Sequence, residues 1–305
     1  MKRHSILILL FIVSFSSAVQ ACEICGCGNS NFQIGLLPNF KQGFVGFRYS
    51  GSQFNSRVNS DPTQFSHDYF KTMEFWGGVT VKRFQFMAFL PYVLSRKQSD
   101  DGTTISNGLG DLLLLVNHKI LSSAKLSANE TRTFIQEWYF GGGLKLPTGI
   151  SRVNATDPDF NIGDFNSQAG TGSVDFIINT TYNLMWNRSG IVTNAAYRIN
   201  TANKQDYRFG NRSYIAAAYY YTLTKKEIKV KPNVGLNFQS NNVNTFQGTD
   251  VAGSNGYTLS STIGVNLIRK DFGINAMAFV PIQQNMYQGQ TTMKTRMLVG
   301  VTYSF

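Results

Sequence analysis

The stretch TTMKTRMLVGVTYSF, residues 291–305, separates into two sets when read every second residue. Its odd positions include Met293, Thr295, Met297, Val299, Val301, Tyr303 and Phe305, and its even positions are Thr292, Lys294, Arg296, Leu298, Gly300, Thr302 and Ser304. Successive side chains of a β-strand point to opposite faces, so this spacing predicts a strand with one apolar face and one face of two cations and hydroxyls. Strands of a soluble sandwich usually run about five or six residues, whereas a tilted strand needs about nine to eleven to cross a bilayer. The length of this stretch therefore argues against a secreted sandwich. It makes the apolar face a lipid face and the polar face the lining of a lumen.

Working back from that strand, the same reading predicts strands at 43–53, 69–81, 83–96, 108–121, 133–146, 170–186, 189–200, 212–224, 228–241, 255–269 and 271–285, twelve in all. Short connections fall near Lys82, Trp186 to Ser189, Thr224 to Glu227 and Arg269 to Asp271. Long ones at 54–68, 97–107, 147–169, 201–211 and 242–254 are rich in Asn, Asp, Ser, Gly and Thr. Short turns alternating with long loops, and an even strand count, are the pattern of periplasmic turns and external loops. The segment 122–132 is longer than a periplasmic turn should be. The expected fold is all-β: a transmembrane antiparallel up-and-down β-barrel over residues 43–305.

Most faces can be assigned. Val174, Phe176, Ile178, Ile263, Leu267, Phe272, Ile274, Val280 and Ile282 read as outward, and Asp175, Asn179, Asn183, Asn266, Asn275 and Gln283 as inward. The facing of 108–121 and 212–224 stays open. Aromatics near strand ends, among them Tyr49, Tyr92, Trp186, Tyr257 and Phe305, suit the girdles of a membrane barrel. The terminal Phe305 suits a signal for the barrel assembly machinery.

Composition agrees. Charged residues make up 15% and aromatics 13%, against about 25% charged in an average soluble domain. The formal net charge is +11. No basic cluster interleaved with stacking aromatics accompanies it, so nucleic acid is not indicated. A basic lumen or a surface facing lipopolysaccharide accounts for the charge. Residues 1–21, with an apolar run from Ile6 to Val13 and small residues at the end, read as a signal peptide for Sec-type export. The expected location is the outer membrane of a Gram-negative bacterium, with a monomeric barrel in lipid bilayer and lipopolysaccharide.

Residues 22–42 precede the first strand and read as a periplasmic or plug-like segment. It opens with CEICGCGN, where Cys22, Cys25 and Cys27 are the three cysteines of the chain. Three readings compete: acylation of Cys22, a soft-metal site for Cu(I) or zinc, and a disulfide with one odd thiol. A tied terminus without function is the plain alternative to all of them.

Catalysis finds little support. Beyond the signal peptide the histidines are His67 and His118, and barrel hydrolases need a base beside a nucleophile. His118 suits an interfacial position near a strand end. The run DPDFNIGD places Asp157, Asp159 and Asn161 like calcium-loop ligands. Its glycine, Gly163, is one place late and Gln168 stands where Glu is needed, so a solvated loop is the better reading.

Three stretches carry a resemblance: GLGDLLLLVNHKIL (108–121), GGGLKLPTGI (141–150) and GTGSVDFIINTTYNL (170–184). Together they resemble an outer-membrane barrel family of transporter type that includes proteins linked to meta-pathway phenol degradation. It is distantly similar to long-chain fatty-acid channels. The resemblance implies a transport-like outer-membrane barrel, and carries over no established catalytic or binding role to Gly110, Asp111, Pro147 or Asp175.

The functional expectation is a narrow channel or transporter for small solutes, hydrophobic, aromatic or metal-related. The alternative is a plugged structural barrel whose loops bind a partner. The predicted lumen carries the cations Arg48, Lys145, Arg198, Lys229, Lys231, Lys294 and Arg296 and the acids Glu74, Asp111, Glu137 and Asp175. Symmetric pairing of the first hairpin sets Arg48 against Glu74, and closure brings Lys294 and Arg296 beside them. These four are the candidate selectivity residues, with a preference for anions and small neutral solutes.

Overall fold

The computed structural model describes residues 43–57, 65–99, 102–126, 133–157, 160 and 162–305. The segments 1–21 and 22–42, and with them Cys22, Cys25 and Cys27, lie outside the described residues.

Fifteen strand segments form one antiparallel sheet, and three of its staves are each interrupted once, so twelve staves close into a barrel. They are β1 (Gly43–Arg57), β2 (Phe65–Val81), β3 (Phe84–Ser99), β4 (Gly102–Leu109 with Leu112–Leu126), β5 (Thr133–Leu146) and β6 (Asp175–Trp186). The second half is β7 (Ser189–Ile199), β8 (Arg212–Tyr221 with Leu223–Lys225), β9 (Ile228–Asn241), β10 (Gly256–Arg269), β11 (Phe272–Met286) and β12 (Thr291–Met293 with Arg296–Ser304). Closure pairs β12 with β1 from Phe44 opposite Ser304 to Gly51 opposite Met297. The amide of Phe305 donates to the Gly43 carbonyl at 2.9 Å, and Gly43 donates back at 3.1 Å. The terminal residue thus completes the seam, which leaves no strand edge unpaired in lipid.

Four turns at the end bearing Gly43 and Phe305 are built alike. Their first residues, Lys82, Asn187, Lys226 and Lys270, have φ of 55, 54, 52 and 53°. That left-handed geometry matches the twist of two-residue hairpins.

The outer face is an apolar belt, with Phe47, Phe75, Phe176, Ile178, Ile263, Val280 and Val299 exposed. The open facings are resolved: Leu114 and Val116 point out while Leu113, Leu115 and Asn117 are buried inside, and Ile215 and Tyr219 point out while Tyr220 is buried. The inner face is not uniformly polar. Phe44, Met87, Phe89, Leu113, Leu115 and Ile177 cluster there against Trp76. Phe54, Phe70, Met286 and Met293 form a second inner cluster across the seam.

Three departures have local causes. The expected loop 97–107 is mostly strand, with Ser99 paired to Gly102 and Tyr92 to Leu109. Its Thr, Ser and Asn residues line a hairpin that continues past the membrane. Gln283, expected inward, is exposed and donates to the Tyr257 hydroxyl at 3.1 Å. The cause is an extra residue in β11: Leu259 pairs Gln283 but Ser260 pairs Pro281, and one inserted residue reverses every facing beyond it. The expected strand start at 170 moves to Asp175, because 170–174 belong to a folded loop.

That loop joins two others above the barrel. Phe165, within the 3-10 turn Ile162–Asn166, stacks on Tyr207 with ring centres 4.2 Å apart. Phe209 and Val251 complete the cluster, with Phe160 and Phe246 against it. The short strands Tyr207–Arg208, Thr245–Phe246 and Thr249–Asp250 form a small sheet over the same core.

Candidate permeation site and rim network

Arg48 stands opposite Glu74 across β1 and β2, as the symmetric hairpin requires. The two form an ion pair inside the barrel, with side chains 5% and 4% exposed. The guanidinium also lies 5.3 Å from the Trp76 ring centre and 5.4 Å from that of Phe89. Room for these side chains comes from glycines on the neighbouring staves. A Cβ on Gly300, opposite Arg48, would come within 3.2 Å of the Arg48 Cβ. One on Gly46, opposite Trp76, would come within 2.6 Å of the indole nitrogen.

Arg296 also points inward and lies 4.3 Å from the ring centre of Phe279. On the other side of the barrel, Tyr214 of β8 stands on the inner face, next to the outward Ile215, within electrostatic range of both Arg296 and Arg48. Arg48, Arg296 and Tyr214 thus line one stretch of the lumen, with Arg296 four residues along β12 from the Gly300 opposite Arg48. A barrel of this size lies between side-chain-filled eight-stranded barrels and open porins.

Lys294 is not part of this lining. Gly51 pairs Met297 while Phe54 pairs Met293, so β12 holds one residue more than β1 over the same span. The bulge leaves Met293 and Arg296 both buried inside, with Lys294 and Thr295 exposed between them. The even spacing that placed Lys294 in the lumen is broken by that extra residue.

Elsewhere on the inner wall, Lys119 of β4 pairs with Glu137 of β5 at 3.4 Å and lies 5.1 Å from the Tyr139 ring centre. Lys231 lies 5.3 Å from the ring centre of Tyr220, and Lys229 is exposed near the turn end of β9.

A second constellation gathers the three stretches that carry the family resemblance. Lys145 of β5 holds Asp111 at 2.7 Å and Asp175 at 2.9 Å. Its ammonium also bonds the Thr171 hydroxyl, and it donates to the Ser173 carbonyl at 3.1 Å. Asp111 accepts from the amides of Gly149 at 3.0 Å and Thr171 at 2.9 Å, and Asp175 accepts from the Ser173 hydroxyl at 2.9 Å. Arg198, fully buried, sits in the field of both carboxylates. Two cations and two acids thus balance within one buried knot. The glycines of the motifs make it compact: a Cβ on Gly149 would fall 2.7 Å from the Gly170 Cα, and one on Gly110 would fall 2.9 Å from the Pro91 ring. Nothing in the spacing of the motifs announced that Lys145 is their common partner; its inward parity was the available signal.

The remaining sequence candidates are dispersed. The His67 ring nitrogen Nδ1 lies 3.0 Å from the Asn55 side-chain oxygen near the loop end of β2. His118 pairs Phe84 and lies 4.9 Å from its ring centre. Asp157 bonds Asn154, while Asp159 and Asn161 lie outside the described residues. Among the described residues, no group of three metal-capable side chains comes together.

Known proteins place the fold. An outer-membrane channel of Pseudomonas putida F1 superposes with a TM-score of 0.55 at 13% identity, covering 87% of this chain and 96% of its own. The translocator domain of the autotransporter NalP from Neisseria meningitidis gives 0.46 at 10% identity, over 89% of this chain and 91% of its own. CymD, a monoaromatic hydrocarbon channel, gives 0.38 at 9% identity, over 87% and 88%. No curated protein sequence matches. A family model described as "Putative MetA-pathway of phenol degradation" matches residues 42–283.

Proposed function

The chain belongs to this phenol-degradation MetA family, and on that premise we propose that it is a narrow outer-membrane channel for small neutral and anionic solutes, aromatic ones foremost. The observation that carries the reading is the pairing of inward cations with aromatic rings along the lumen wall. Arg48, paired with Glu74, lies beside the rings of Trp76 and Phe89, and Arg296, four residues along β12 from the Gly300 opposite Arg48, lies over the ring of Phe279. A solute with a flat apolar body and an anionic oxygen finds a partner for each part. The inner cluster of Phe44, Met87, Leu113, Leu115 and Ile177 extends the apolar wall toward the turn end.

The barrel sits in the outer membrane by virtue of its exposed apolar belt and closed sheet. Export by the Sec route in a Gram-negative cell, assembly through Phe305 and a monomeric state belong to the same proposal. Cu(I) or zinc at Cys22, Cys25 and Cys27, or acylation of Cys22, is a separate proposal that the intact mass of the mature protein tests. A mass increment for a diacylglyceryl group favours the anchor, and co-purifying metal favours the site.

Proteoliposomes test the channel. Benzoate should enter vesicles carrying the wild-type protein faster than empty vesicles, and the Arg296→Glu variant should slow it. Entry no faster than into empty vesicles would overturn the reading. It would favour a second one, a closed barrel that binds through its loops, which the buried aromatic core of the loops independently supports.

A further inference from the structure

We infer that the outer face of β12, β1, β2 and β3, on the loop side of the apolar belt, binds the phosphates of a phosphorylated glycolipid of the outer leaflet. The inference rests on the outer-membrane placement and not on conduction.

Register builds the site row by row. The outward residues Tyr49, Met73 and Tyr92 share one row. The next row toward the loops holds Met297, Gly51, Lys71 and Leu94. The one above holds Gln53, Tyr69 and Arg96, with the Lys294 amide bonded to the Gln53 carbonyl at 2.8 Å. Lys71, Arg96 and Lys294 are all exposed. Lys71 and Arg96 are diagonal neighbours, roughly 7–8 Å apart at the backbone, and Lys294 lies two staves and two residues from Lys71, roughly 12 Å away. Three long, exposed cationic side chains thus stand on the rows above a pair of tyrosines.

Between Lys71 and the β12 stave sits Gly51, where an added Cβ would meet no atom within 4 Å. The missing side chain leaves a notch in the wall beside the cations. Among the described residues, no carboxylate on this face competes for them. The acids of these four staves are Asp68 and Glu74, and both are buried inside the barrel. Among the described residues, Lys71, Arg96 and Lys294 take part in no ion pair. The far side of the barrel is different: at the same end, the outward residues of β9 to β11 are neutral, among them Phe238, Tyr257, Gln283 and Asn285.

The surroundings name the ligand. Tyr49 and Tyr92 mark the headgroup level. Directly beneath them lie exposed Phe47, Phe75, Leu90 and Val301, a surface for acyl chains. A ligand that offers phosphates to the cations and acyl chains to this wall is a phosphorylated glycolipid, and free phosphate would use only half of the site. Arginine and lysine at the boundary of lipid and water, with no acid to neutralise them, attract such phosphates strongly.

The test uses the full-length protein in detergent and native mass spectrometry, with diphosphoryl lipid A, dephosphorylated lipid A and inorganic phosphate as probes. Wild-type protein should retain diphosphoryl lipid A at least tenfold better than the triple variant Lys71→Gln/Arg96→Gln/Lys294→Gln. A control triple at the opposite end, Lys82→Gln/Lys225→Gln/Lys270→Gln, should bind like wild type. Equal retention of dephosphorylated lipid A, or equal binding by the first triple, would overturn the inference. Displacement by millimolar inorganic phosphate would reassign the site to free phosphate and overturn the glycolipid. Should the triple variant fail to fold, the wild-type affinity decides: it should weaken about tenfold between about 50 and 500 mM salt, and indifference to salt would refute the inference. Bilayer conductance of the folded triple should match wild type, so failure here and failure of the channel reading show up in different assays.

Discussion

Arg296 and Lys294 stand two positions apart and face opposite sides of the wall. Alternation alone placed both in the lumen, and nothing in Lys294-Thr295 signals a bulge, because either residue is tolerated on either face. The Arg48 and Glu74 pair was legible because a symmetric hairpin fixes it from the turn. The structure therefore predicts a contrast. Arg296→Glu should shift the reversal potential of a salt gradient toward cations, whereas Lys294→Glu should leave it where it was. Equal shifts in the two variants would place Lys294 in the pathway after all. Lys145→Met gives a second expectation. It leaves Asp111 and Asp175 buried with Arg198 alone for charge balance. Breaking a buried pair by removing one partner costs about 3–5 kcal/mol. The folded, fast-migrating band of unheated samples should then be lost at a clearly lower temperature than in wild type. An unchanged transition would mean that the knot does not hold the rim together.

At the scale of elements, strand length and alternation carried nearly everything. The segments 133–146 and 228–241 were read to the residue, because each ends at a short turn or a change from apolar alternation to polar loop. The errors lie where polar residues are structured. The hairpin around Ser99 and Gly102 reads as loop because its side chains leave the membrane and lose their alternation. The 170–174 stretch reads as strand, yet its backbone turns aside to bring Thr171 and Ser173 onto Lys145. Gly170 makes that turn possible by lying against Gly149, where any Cβ would collide with backbone. Gly170→Val should therefore release the 147–174 loop while the staves below it remain paired. Trypsin should cut the folded variant at Arg152 much faster than wild type. Equal resistance would show that the glycine contact does not pin the loop.

At the scale of the whole molecule, two properties of the barrel follow from one sheet that alternates. Its outer face is apolar enough for lipid and carries a cationic patch on β12 to β3 that the described residues of β9 to β11 lack. Its inner face mixes apolar clusters with paired and unpaired charge, and so departs from the uniformly polar lumen that alternation alone suggests. The apolar inner clusters were hidden in the sequence because residues such as Leu113 and Leu115 lie in a run, LLLL, that is apolar on both faces. Periodicity has nothing to read there. The cysteine-bearing segment 22–42 lies outside the described residues, and its chemistry rests on the thiol spacing. Conduction through a lumen lined by Arg48 and Arg296 is the property on which the proposed function turns. Planar bilayers with the purified wild-type protein under a salt gradient test it most directly. A small, steady single-channel conductance with a reversal potential displaced toward anions is the result expected. No steady conductance, or a reversal potential displaced toward cations, would contradict it.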